Sequence, residues 1–78
     1  MKLKQLLKVT DPNQRVHVEV YAFGIFYAST VVDGMQIETL LHIRKDILDA
    51  RVTFVLATTM KEDNSEFTVL HIQVELCE

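Results

Sequence analysis

The sequence predicts a single small α+β domain, residues 1–78, that is mostly β with two short helices. Apolar and polar residues alternate in several segments, which is the period of a half-buried strand. Turn residues separate these segments. Hydrophobic residues make up 49% of the chain and charged residues 24%. This composition is typical of a folded chain and excludes the disordered class.

A short amphipathic helix is predicted at the start of the chain. Residues 2–8 place Leu3, Leu6 and Leu7 on one face at helical spacing. Such a short helix is not stable alone, so we expect it to pack on the body of the domain. Asp-Pro-Asn-Gln at positions 11–14 then indicates a turn.

A β-hairpin is predicted next. Valines alternate with polar residues between positions 15 and 21, which indicates a half-buried strand. A second strand runs from about Ile25 to Val31, which is rich in aromatic and β-branched residues. Gly24, in the short connection, is suited to the left-handed backbone of a hairpin loop.

A second short helix is predicted to begin at Asp33. Its side chain can accept hydrogen bonds from the first helical turn, and Gln36, three residues later, completes a capping-box pattern. We expect this helix to end between His42 and Lys45. A further turn, or a short 3₁₀ segment, is expected at 46–49.

A second hairpin completes the chain. The third strand covers about 50–59 and the fourth about 67–76, with a polar loop at 61–65 between them. Leu70, Ile72, Val74 and Leu76 are expected to face the core. Four strands in an open sheet leave two edges to protect, which favours closure into a small antiparallel barrel-like sheet. A sheet with one face covered is the alternative.

Charge and cysteine content limit the function classes. The formal net charge is −3, whereas general nucleic-acid binders usually carry a positive surplus. Cys77 is the only cysteine, so no internal disulfide forms, and a reducing cytoplasmic location is expected. No apolar run approaches the length of a membrane span. Small domains without disulfide or metal often pair with a second copy, so a homodimer is expected.

Three segments carry a resemblance to known proteins. They are Met-Lys-Leu-Lys-Gln-Leu-Leu at 1–7, Asp-Pro-Asn-Gln-Arg-Val at 11–16 and Ile-Leu-Asp-Ala-Arg-Val at 47–52. With these segments the chain resembles, over nearly its whole length, small uncharacterised proteins of Firmicute genomes, their prophages and other mobile elements. The resemblance implies a gene on a mobile element, and it carries over no activity and no catalytic residue.

A weaker similarity is to Sm-like small barrels, which also begin with a helix followed by bent strands. The Asp and Asn residues of their RNA-binding loops have no identified counterpart in this sequence, so RNA binding is not carried over.

The first hairpin departs from the polar turn of the Firmicute group. Its connection contains Phe23 and is flanked by Tyr21, Ile25 and Tyr27, although hairpin tips are normally exposed and polar. A contiguous apolar surface of this kind is typical of protein interfaces. We therefore predict these four residues as a protein interface. The alternative is that Phe23 plugs the end of a barrel.

No catalytic residue, metal site or cofactor is predicted. No local ligand spacing is found among the candidate metal ligands, which are His17, His42, His71 and Cys77. His17 and His71 could still lie side by side on neighbouring strands. The sequence holds no nucleophile elbow and no glycine-rich phosphate loop. We therefore expect a protein that is not an enzyme.

A local basic patch is the remaining candidate site. It would bring together five residues from the chain start and from the end of the second helix: Lys2, Lys4, Lys8, Arg44 and Lys45. Solvation of an amphipathic helix explains these cations equally simply. Nucleic acid is accordingly not the expected partner.

The sequence is compatible with three functions. The first is a non-enzymatic protein-interaction module that forms a homodimer through the apolar first hairpin. The second is a mobile-element effector that blocks a host protein, for example in a nuclease-based defence. The third is a small nucleic-acid-binding barrel.

Overall fold

The computed structural model describes residues 1–23, 25–40 and 45–76. For residues 25–36 and 38 it describes the backbone only. The described chain is mostly β, as predicted, with short helices. Its elements in chain order are α1 (Leu3–Lys8), β1 (Arg15–Ala22), β2 (Ile25–Gln36), α2 (Ile37–Leu40), α3 (Lys45–Leu48), β3 (Arg51–Glu62) and β4 (Ser65–Leu76).

The four strands form one mixed sheet in the order β2-β1-β4-β3. Both predicted hairpins are confirmed, because β1 pairs with β2 and β3 pairs with β4, each pair antiparallel. The expectation of a wholly antiparallel sheet is wrong, because β1 and β4 pair in parallel at the centre. Parallel neighbours need a crossover connection. The chain between β1 and β4 contains such a connection, which includes α2 and α3.

The sheet is open in the described part of the chain. Its two outer strands are β2 and β3, and no described pairing joins them. The predicted barrel closure is therefore not confirmed. In the described part of the chain, the helices pack on one face of the sheet.

The predicted helix start at Asp33 is wrong. Residues 33–36 belong to β2, and α2 begins only at Ile37. Asp33 lies opposite His17 and Gln36 lies opposite Arg15 in the ladder with β1. Their backbones are part of a β-ladder. Strand pairing therefore determines the conformation here, although the local pattern is that of a helix cap. The turn expected at 46–49 is a single turn of α-helix, Lys45–Leu48.

The core lies between the sheet and the helices. Val16, Val18 and Val20 of β1 are at most 1% exposed, as their alternation predicts. The other members of the core cluster come from the helices, from the residue before β3 and from β4: Leu3, Leu7, Ile37, Leu40, Ile47, Ala50, Ile72 and Val74. No helix among the described residues is long and apolar enough to cross a membrane.

The start of the chain is tied to the beginning of β3. The Leu3 amide donates to the Ala50 carbonyl at 2.9 Å, and the Val52 amide donates to the Met1 carbonyl at 2.8 Å. Lys2 thereby forms an isolated antiparallel bridge with Arg51. This short segment lies along the outer edge of β3 at residues 50–52.

Candidate protein interface

The tip of the first hairpin exposes a large apolar side chain. Phe23 is 71% exposed and its φ is 56°, in the left-handed region. Ala22 pairs with Ile25 directly below it, so Phe23 lies in a tight turn. Bulky residues rarely adopt positive φ, and the strain costs about 1 kcal/mol or more. The alternative role of Phe23 as an internal plug is wrong, because the ring lies in solvent.

The other predicted interface residues lie on the strands below this tip. Tyr21 is half-buried and lies in register with Phe26 of β2 and Glu75 of β4. Ile25 and Tyr27 belong to β2, but their side chains lie outside the described part of the structure. Among the described side chains of this group, Phe23 is therefore the one that is exposed enough to contact a partner.

A second apolar surface lies on β3, where the sequence pattern did not predict it. Its members are each between 43% and 49% exposed, and we call them the β3 apolar strip: Phe54, Val55, Leu56 and Met60. No residue between 53 and 66 is buried, and Thr58 alone is partly covered. This half of the second hairpin thus lies beyond the cover of the helices.

A β-bulge at Thr53 sets which face each strip residue occupies. Val52 lies opposite Val74, but Phe54 lies opposite Gln73, so Thr53 is an extra residue. Beyond the bulge, Val55 lies opposite the buried Ile72 on the helix-covered face of the sheet. Phe54 and Leu56 then lie on the opposite, outer face, and β3 is apolar on both sides.

The outer face of the central strands carries polar and aromatic contacts. The rings of His17 and His71 lie side by side with centroids 5.0 Å apart, so their predicted proximity is confirmed. His71 Nε2 lies 2.7 Å from Thr58 Oγ1. The Arg15 guanidinium lies 4.5 Å from the centre of the Phe67 ring. These contacts link neighbouring strands across the outer face of the sheet.

No metal centre is found among the residues that the structure describes. Groups of three or more His, Cys, Asp or Glu side chains suited to a metal ion are absent there. His42 and Cys77, two of the four candidate ligands, lie outside the described residues.

Part of the predicted basic patch forms around an acidic residue. Lys4 Nζ lies 2.9 Å from Asp49 Oδ1. The hydrogen bond and positive charge of Lys4, with smaller contributions from the charges of Lys2 and Lys45, lower the pKa of Asp49 below its ordinary value of 3.8. Arg44 lies outside the described residues. Asp49 therefore reduces the positive charge that this surface would offer to a phosphate backbone.

Lys8, the fifth predicted member of the patch, ends α1 and is exposed. It is not among the charges that shift the pKa of Asp49. Of the predicted cations, Lys4 and Lys45 line one surface cavity together with Asp49.

Comparison of the chain with protein-family models, with curated proteins and with solved structures found no match.

Proposed function

We propose that this protein is a protein-interaction module whose apolar tip at Phe23 docks into a pocket of a partner protein. The observation that supports this proposal is that two energetically unfavourable features coincide at Phe23. Phe23 exposes 71% of its surface and also holds a positive φ that glycine or asparagine adopts at lower cost. Neither feature serves the core of the domain, which lies elsewhere.

The tip is well positioned for such a role. It directly follows β1, whose three alternating valines are fully buried and whose backbone pairs with a strand on each side. Because the backbone that leads to the tip is already ordered by pairing on both sides, little backbone freedom is lost on binding. Phenylalanine in a pocket is a common anchor of protein interfaces. The geometry therefore suits a single-anchor contact better than a broad flat one.

Site-specific photo-cross-linking tests this proposal. A benzophenone amino acid replaces Phe23 in one variant and Val9 in a control variant, and each is irradiated in cells that express it. Val9 is 81% exposed, so the control presents the same reactive group on another exposed site. We expect a discrete covalent adduct at position 23 and none at position 9.

The mass of the adduct identifies the partner. A host protein in the adduct agrees with the effector suggested by the Firmicute resemblance, and a second copy agrees with self-association through the tip. Phe23→Gly supplies the matched loss of function, because glycine suits the backbone and removes only the ring. Absence of a position-23 adduct, or equal adducts at both positions, contradicts the proposal.

A further inference from the structure

The outer edge of β3 is available for pairing over most of its length. On its inner side β3 pairs with β4 from Arg51 to Glu62. On its outer side the start of the chain covers residues 50–52, and no other described segment lies there. From Phe54 onward, the described part of the chain leaves this edge without a neighbouring strand.

This edge lacks the features that usually keep edge strands apart. Residues 52–60 contain no charged side chain and no proline, which are common protective devices. The bulge at Thr53 lies at the covered end, so it does not interrupt residues 54–60. The β3 apolar strip places large apolar side chains on both faces of the same edge. Long apolar edges of this kind pair readily with another strand.

We propose that a second copy of this chain pairs antiparallel with β3 along residues 54–60, so that one continuous sheet spans both copies. This homodimer goes beyond the docking role of Phe23, because the tip of the first hairpin lies at the other side of the sheet order. The tip would stay available to a partner in each copy.

The pattern of apolar residues is self-complementary in one register. With a two-fold axis at Ala57, Phe54 lies opposite Met60 of the second copy, and Val55 lies opposite its Thr59. Directly opposed residues of antiparallel strands share a face. Each large side chain of the strip on the outer face then meets the other copy, and the small Ala57 residues meet at the axis.

The charges favour the antiparallel direction. The far end of the second hairpin carries Glu62, Asp63 and Glu66 together with Lys61, whereas the covered end of β3 carries Lys2 and Arg51. Antiparallel pairing places the acidic end of one copy beside the basic end of the other, twice. Parallel pairing would place like charges together, which opposes association. The same strand is thus complementary to itself in shape and in charge.

Sedimentation equilibrium from about 5 to 500 µM tests whether the dimer forms. The contact is short compared with a standard interface, so we expect a dissociation constant of roughly 10–100 µM. Leu56→Lys places a charge in the centre of the edge and should raise that constant at least about tenfold. Val9→Lys, a control at a site that is 81% exposed and lies outside β3, and Phe23→Gly should leave it unchanged. Circular dichroism confirms that each variant folds.

Cysteine cross-linking tests the register. In a Cys77→Ser background, Ala57→Cys residues of two copies lie about 5 Å apart, whereas Thr59→Cys residues lie about 14 Å apart along the strands. A short bis-thiosulfonate reagent should therefore dimerise the first variant and not the second. A wild-type protein that is monomeric throughout the concentration range overturns the proposal. Equal cross-linking of the two variants, or dissociation constants that Leu56→Lys leaves unchanged, also overturns it.

Discussion

The two hairpins of this sheet distribute their apolar residues in opposite ways. The first joins the buried strand β1 to a tip that exposes Phe23. The second carries an exposed apolar strand, β3, and ends in the polar turn Asp63-Asn64. Both tips use positive φ, 56° at Phe23 against 48° and 67° at Asp63 and Asn64. Asp and Asn tolerate that backbone conformation well, and phenylalanine does not.

The two exposed apolar regions differ in origin, because one is determined by the local sequence and the other by the fold. Apolar residues occur along both β1 and β3, but the helices cover those of β1 and leave the β3 apolar strip exposed. Exposure of β3 is a consequence of where the helices lie. Exposure of Phe23 is a property of the turn itself. We therefore expect substitutions in the two hairpins to affect stability and association separately.

The largest effect should come from a matched pair of truncations on one face of the sheet. Val74 is fully buried and Val55 is 43% exposed, although both lie on the helix-covered side. Val74→Ala removes buried methyl groups and leaves a cavity, so it should lower the free energy of unfolding by about 2 kcal/mol. Val55→Ala should lower it by less than about 0.5 kcal/mol. Urea unfolding at low protein concentration measures both.

Equal losses in this pair would show that residues around Val55 are covered in solution. Such a result at low concentration would contradict the exposed position of the β3 apolar strip. If the two losses become similar only at high concentration, the second copy supplies the cover. The same two variants thus also test the proposed homodimer.

A smaller effect is expected from substitutions at the two tips, with opposite signs. Phe23→Gly relieves the positive-φ strain and should raise the free energy of unfolding by about 0.5–1 kcal/mol. Asn64→Ala introduces strain in the second turn and should lower it by about 1 kcal/mol. Thermal unfolding of both variants measures the change. A loss of stability in Phe23→Gly would mean that the ring packs on the domain.

Much of the strand content was predictable because it depends on local periodicity. The alternation of Val16, Val18 and Val20 predicts both the strand and its buried face, and both are confirmed. The polar run at 61–65 predicts a turn, which the structure places at Asp63-Asn64. These features need no information about distant parts of the chain.

The errors arose where distant pairing overrides a local signal. Asp33 carries a helix-start pattern, but the ladder with β1 incorporates it as a strand residue. The bulge at Thr53 moves each following residue of β3 to the other face of the sheet, and no local pattern in the sequence predicts such a bulge. The parallel pairing of β1 with β4 depends on the crossover between the hairpins. Each of these depends on contacts between residues far apart in sequence.

The candidate interface was predictable in one part only. Phe23 is an apolar residue in a predicted turn, which makes it visible in the sequence. The β3 apolar strip is not visible as a surface, because an apolar strand is normally taken to be buried. The absence of charges from residues 52–60 is the signal that was available. It becomes informative only when β3 is known to be an edge strand.

The smallest effect concerns the covered end of β3, where α1 and α3 meet. Lys4 and Asp49 form an ion pair there, but both side chains are about half exposed. Burial of Leu3 and Leu7 holds α1 in place, so the ion pair should contribute little. The folded pKa of Asp49 lies below its ordinary value of 3.8. Its contribution is therefore present above pH 3.8 and is lost as the pH falls through the folded pKa.

NMR titration of the Asp49 carboxyl carbon should give a midpoint below 3.8 in the wild type. Lys4→Met removes the hydrogen bond and the nearest charge, so the midpoint should rise toward the ordinary value. Asp49→Asn should lower the melting temperature only slightly at pH 6. This small difference from the wild type should disappear at acidic pH. A midpoint that Lys4→Met does not move would show that the ion pair does not persist in solution. A large loss of stability in Asp49→Asn would instead show that the ion pair, rather than burial of Leu3 and Leu7, holds α1 at this end of β3.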